Sequence, residues 1–210
     1  MARLFISAVA NDGATINYAT PTRSVFRTQF DDASFKFDLD ASAVVVGDGG
    51  VIGVASVTQI PALFGEGIAM ARITLDPCGI NVPHVVTSGT EMVYAIDAES
   101  VLTAFADETG TGRTVVNTLH TGDVTFSPRG LVRLEYNMAC TPAILLTAIN
   151  SEDYGVTLLT TPFGALATLP SEPVAGAIGI TVAELEALAA ASPSSPALQR
   201  DCLAKCGLSG

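Results

Sequence analysis

An all-β fold, an antiparallel sandwich or barrel with short helices at its C-terminal end, is predicted by three observations. From Ala41 to about Leu159 the chain alternates β-branched or aliphatic runs of roughly four to eight residues with Gly, Asp and Pro breaks about every ten residues. After Pro162 the pattern becomes helical. Hydrophobic residues make up 49% of the 210 and charged ones 15%, with no tryptophan, so the chain can bury a mostly aliphatic core and is not of disordered composition.

The elements follow in order. Residues 1–40 are read as an N-terminal extension with the first strands; its opening MARLFISAVAN is too short in its apolar run for a good secretion signal and reads equally as a strand. Residues 41–161 form the barrel, through SAVVV, VIGVASV after the turn GDGG, IAMARITL, EMVYAI, SVLTAFA, RTVVNTL after the turn DETGTG, DVTFS, LVRLEYN and AILLTAI. Residues 162–210 form helices that pack on the barrel or on a second subunit, the whole making one domain. In TVAELEALAAAS the Thr181 hydroxyl caps a helix and Glu184 completes a capping box, with Val182, Leu185 and Leu188 as the apolar stripe. SPSSP breaks the chain, and ALQRDCLAKC with Gly207 behind it reads as a final helix with its glycine stop.

Composition excludes some functions. A net charge of -11 repels phosphate backbones and anionic lipid surfaces, so no nucleic-acid partner is expected. No apolar run approaches the roughly 20 residues of a membrane span, so no membrane partner is expected either. Cys78, Cys140, Cys202 and Cys206 lack paired zinc-ligand spacing; disulfides, free thiols and zinc remain open, in that order. Disulfides would imply passage through a secretory compartment, with any signal peptide absent or removed.

His84 stands seven residues before Glu91 in NVPHVVTSGTEM. A lone strand histidine is more often a hydrogen-bonded core group than a ligand, but two stretches here belong together. CGINVPHVVTSGTE follows the form GxNxPHxHxxxxE, and GDVTFSPRGLVRLEYN follows GDVxxxPxGxxHxxxN. In both the chain resembles the germin-like and spherulin-like cupins. The resemblance extends through QIPALFGEGIAMARITLDP, CTPAILLTAINSEDYGV and TPFGAL to the C-terminal helices, and the cysteines resemble those of a fungal secreted branch. It implies a jelly-roll β-barrel, at least a homodimer, and a Cys78–Cys140 disulfide that leaves Cys202 for Cys206.

The departures from that pattern decide the chemistry. Metal-binding members bring three histidines and a glutamate together, usually on manganese. His84 and Glu91 match the first histidine and the glutamate, whereas Val86 and Arg133 replace the other two histidines. A usual glycine is Ala98. One imidazole and one carboxylate beside a fixed guanidinium make a poor cation site, so no metal and no other cofactor is expected. This argues against the oxalate oxidase, oxalate decarboxylase and superoxide dismutase activities associated with the family.

His84, Glu91 and Arg133 should still converge, and period-two alternation from Arg133 would also turn Leu131 and Glu135 inward. Either Arg133 simply neutralises Glu91, or it holds an anionic or carbonyl oxygen of a ligand while His84 or Glu91 handles a proton. Val86 dries the pocket and suits an apolar small-molecule substrate. Catalytic Arg133, His84 and Glu91, with Val86, Leu131 and Glu135 contacting substrate, are therefore expected of a metal-independent cyclase, dehydratase or hetero-Diels–Alderase of the kind the resemblance suggests for fungal tropolone and terpenoid metabolism. A non-catalytic storage or binding protein and a manganese oxidoreductase with substituted ligands are the alternatives.

Overall fold

The computed structural model of the chain describes residues 15–159 and 169–208. The opening MARLFISAVAN and most of TPFGAL lie outside the described residues.

Residues 15–40 contain no strand longer than a single bridge. Helix α1 (Arg23–Arg27) starts where the Thr22 hydroxyl accepts from the Val25 amide, and Asp31 caps a short 3-10 turn in the same way. Tyr18, Phe26, Phe30 and Phe64 form a small aromatic cluster beside them. The expectation of first strands before residue 41 is thus corrected for these residues: N-cap side chains, acting through local hydrogen bonds, direct them into helical turns.

The strands then run β1 (Ala43–Gly47), β2 (Gly50–Ala55), β3 (Ala69–Leu75), β4 (Gly79–Val86), β5 (Glu91–Asp97), β6 (Val101–Ala106), β7 (Thr114–Leu119), β8 (Val124–Ser127), β9 (Val132–Asn137), β10 (Ala143–Ile149) and β11 (Val156–Leu158). They make two antiparallel sheets, ordered β1-β2-β3-β10-β5-β8 and β11-β4-β9-β6-β7. Strict alternation of burial along β3 and β10 gives each strand one wet and one dry face. The dry faces meet in a core of Ile73, Leu75, Val93, Ala95, Val101, Leu119, Ala143 and Leu145, joined by Ala98.

The C-terminal part is α2 (Ser171–Ile178), α3 (Val182–Ala191), a two-residue strand β12 (Ala197–Leu198) and α4 (Arg200–Lys205). The expected capping box is present on α3, where Thr181 Oγ1 accepts from the Glu184 amide and the Glu184 carboxylate accepts from the Thr181 amide. The last helix is shorter than expected. Ala197 and Leu198 instead pair with Ile80 and Gly79 of β4, because that edge of β4 is left open where β11 stops. No single described helix is long and apolar enough to cross a membrane.

Both disulfides tie α4 to the barrel. Cys78 bonds Cys202 and Cys140 bonds Cys206, with Cα atoms 5.7 and 5.4 Å apart. The expected pairing of Cys78 with Cys140 is overturned. Docking β12 against β4 carries α4 under the β3–β4 turn and the β9–β10 connection, so each loop cysteine meets one helix cysteine.

Candidate functional site

A cavity of about 280 Å³ opens inside the barrel between the sheets. Its wall is mainly aliphatic, from Val45, Ile52, Val54, Ala71, Ile73, Val86, Ile149, Val156 and Leu158. Its polar lining consists of Asn81, His84, Glu91, Tyr154 and Ser195.

Strand β4 supplies three lining residues by an irregularity. Asn81 and His84 are three apart, which in a regular strand would send them to opposite faces. Against β9, however, Asn81 pairs with Glu135 and His84 with Arg133, so three steps on β4 oppose two on β9. This bulge lies at Val82–Pro83, where proline has no amide to lend to a ladder. Both side chains therefore turn inward, and Val86 follows two residues later. Gly130, with φ +78, makes the turn before β9 and donates its amide to the Val86 carbonyl at 2.9 Å, which fixes the second motif against the first.

The ring of His84 is oriented by its own strand. Its Nδ1 lies 2.9 Å from the Val82 carbonyl, which can only accept, so Nδ1 carries the proton and Nε2 is left to act on a neighbour. A nitrogen of His84 and one carboxylate oxygen each from Glu91 and Glu135 lie within 4.8 Å of one another. All three residues are buried.

Arg133 stands behind this group. Its Nη1 donates to Glu91 Oε2 at 3.1 Å and to the Ser127 carbonyl at 3.3 Å, and its Nη2 donates to the Pro128 carbonyl at 2.7 Å. The guanidinium side chain is fully buried, and its Nε has no hydrogen-bond partner among the described residues. Glu135 is buried as well, its Oε2 accepting from Asn81 Nδ2 at 2.8 Å. Burial, first of all, pushes the Glu135 carboxyl above its ordinary range, and the nearby Glu91 carboxylate adds to this; His84, the Asn81 hydrogen bond and Arg133 pull the other way. Burial and the Glu91 charge likewise push the Tyr154 phenol up to about 12, so it stays a neutral donor.

Of the residues expected at the site, His84, Glu91 and Val86 line the cavity. Arg133 and Glu135 are buried next to it without lining it. Leu131 is corrected: it is half-buried, sits in the turn before β9 begins at Val132, and is not among the lining residues, so strand alternation does not reach it. Asn81, Tyr154 and Ser195 were missed. Asn81 was within reach, because it occupies a fixed position of the first motif; the other two come from a loop and from the C-terminal segment, and sequence spacing carries no signal for them.

The family's usual manganese does not fit these residues. His84, Glu91 and Glu135 offer three donors, but Glu91 already accepts from a guanidinium that backbone carbonyls hold in place. Val86 puts an isopropyl group where a histidine ligand would be. A divalent cation would meet the fixed Arg133 charge in a buried, weakly screened setting.

The sequence matches the Cupin family over residues 38–186. It is 31% identical over 182 residues to spherulin-1A of Physarum polycephalum, which spans 85% of this chain and 72% of that protein. It is 35% identical over 133 residues to germin-like protein 1-3 of Oryza sativa subsp. japonica, spanning 63% and 58%. Among solved structures, a recombinant oxalate oxidase in complex with glycolate superposes with a TM-score of 0.70 over 90% of this chain and 91% of that one, at 19% identity, a likeness of fold.

Proposed function

The chain belongs to the cupin family, and we propose that it is a metal-independent enzyme that binds a small, largely apolar, oxygenated molecule in the barrel and moves protons on it. The observation that carries the reading is the cavity itself: about 280 Å³ of aliphatic wall with His84 and Glu91 at its polar end. Arg133 holds Glu91 in place at the cavity wall, and Glu91 is the base. His84, its Nδ1 committed to the Val82 carbonyl, relays a proton through Nε2 from the neighbouring Glu135 carboxyl to a departing oxygen. Arg133 and Glu135 act as positioning residues, because neither borders the cavity.

Loss of water from a hydroxymethyl phenol or tropolone is the concrete form. Glu91 takes the ring hydroxyl proton, the C–O bond breaks, His84 protonates the leaving hydroxyl, and the resulting quinone methide adds across an alkene held against the aliphatic wall. The test uses 2-hydroxybenzyl alcohol with an electron-rich alkene and mass detection of the dehydrated adduct. Wild-type protein accelerates adduct formation, and His84→Ala and Glu91→Gln do not; equal rates with and without wild-type protein would sink the reading.

The manganese oxidoreductase reading draws on the His84, Glu91 and Glu135 triangle, and stoichiometric metal in protein from manganese-supplemented culture would favour it. The storage or binding reading called for a barrel filled by side chains, against which the cavity stands. Two disulfides fit a secreted or extracellular protein.

A further inference from the structure

We propose that the C-terminal segment 192–206 is a wall of the ligand cavity, held shut by both disulfides, and that Ser195 on it selects ligands carrying a hydrogen-bond donor. The proposal rests on the reading that the cavity holds a small molecule.

The segment has a built seat. A Cβ at Gly47 would strike the Pro196 carbonyl and one at Gly49 the Ala197 carbonyl, so the glycines of GDGG let the segment's backbone lie directly on the β1–β2 hairpin. The Gly49 amide donates to the Pro196 carbonyl at 2.9 Å, and the Gln199 amide donates to the Cys78 carbonyl at 3.0 Å. Ala197 and Leu198 extend the sheet along β4. Beyond them Cys202 and Cys206 fasten α4 to Cys78 and Cys140. The segment is thus stapled on one side and hydrogen-bonded on the other, with Ser195, Pro196 and Ala197 buried between.

Ser195 is the point at which this wall meets the polar end of the cavity. Its hydroxyl donates to Asn81 Oδ1 at 3.3 Å and accepts from the Val82 amide at 3.4 Å. Asn81 in turn donates to Glu135, so the serine fixes the orientation of the amide that holds that carboxyl. A hydroxyl has one donor and two lone pairs. The donor and one lone pair are used, which leaves one lone pair on a residue that lines a mostly aliphatic cavity. It can accept from a ligand O–H and offers nothing to an ether.

Cyclohexanol and its methyl ether are the probes, titrated by NMR into oxidised full-length protein, with amide hydrogen exchange as the second readout. Wild-type protein binds both saturably and prefers the alcohol. Ser195→Ala loses about two- to tenfold in affinity for the alcohol and not for the ether, and Ser195→Thr, which keeps the hydroxyl, restores the preference. Complete reduction of both disulfides by dithiothreitol raises exchange at the Gly49, Val82 and Gln199 amides by about thirtyfold or more while β3 and β10 stay protected.

No saturable binding to oxidised wild-type protein would overturn the proposal. So would an unchanged alcohol preference in Ser195→Ala, unchanged exchange after reduction, or loss of protection across the whole barrel at once. None of these outcomes depends on turnover, so an inactive protein with the predicted binding and exchange would refute the enzyme reading alone.

Discussion

Arg133 Nη1 lies 3.1 Å from Glu91 Oε2, with the arginine side chain wholly buried and the glutamate side chain nearly so. The arginine stands where metal-binding cupins place a histidine, and it contributes a permanent charge in place of an exchangeable one. The pair couples the second motif to the first without a metal.

Removing one partner should therefore cost more than removing both. Arg133→Ala leaves a buried carboxylate without its cation, and a loss of about 3–5 kcal/mol in unfolding free energy is expected. Combining Glu91→Gln with Arg133→Met removes the charges together and should recover most of that loss. Urea unfolding of Glu91→Gln, Arg133→Met and the double variant that combines them measures the coupling; additive losses would mean that the ion pair is not coupled in the folded protein.

Much of this site could be read from sequence, and the limit was physical. The two motifs placed His84, Glu91 and Arg133 together because their spacing encodes strands whose ends converge in any barrel of this kind. Glu135 and Leu131 were both assigned inward by period two. Glu135 obeys because it lies inside β9, and Leu131 does not because the strand starts after it. The cysteine pairing failed because it depends on where β12 docks, and a two-residue strand has no periodicity to read. Ser195 and Tyr154 reach the cavity from segments that sequence spacing cannot place.

Glu135 makes stability depend on pH in a definite direction. Its folded-state carboxyl is raised above the ordinary range, chiefly by burial, so the native protein holds a proton that the unfolded chain releases. That contribution is fully present below the ordinary carboxyl range and is lost as pH rises through the raised value. Glu135→Gln keeps a neutral amide in the same place, so its stability relative to wild type should increase from about pH 5 to about pH 8. Denaturation at the two pH values checks this, and a constant difference would place the titration elsewhere.

The disulfides give a prediction with two readouts. Lys205 lies between Cys202 and Cys206, so tryptic cleavage separates their peptides, and a non-reducing digest should contain Cys78 linked to Cys202 and Cys140 linked to Cys206. Loops of 124 and 66 residues are closed by these bonds. Cys140→Ser paired with Cys206→Ser should cost about 2–5 kcal/mol, with thermal unfolding as the measure. Peptides joining Cys78 to Cys140 would refute the docking of α4 described above.

The replaced histidines make the strongest test of what Val86 and Arg133 do. Val86→His with Arg133→His restores the donor set of metal-binding relatives at positions that already face His84 and Glu91, and it removes the guanidinium that occupies the Glu91 carboxylate. Four donors without a competing cation should bind manganese stoichiometrically, and wild type, with Arg133 on Glu91, should not. Val86→His alone should bind far less, because Arg133 still holds Glu91 and still repels the ion. Elemental analysis of all three proteins from manganese-supplemented culture, with electron paramagnetic resonance of the bound ion, separates these outcomes. Equal manganese in wild type and the double variant would mean that His84, Glu91 and Glu135 suffice, and the metal-free chemistry proposed for the cavity would then have to be given up.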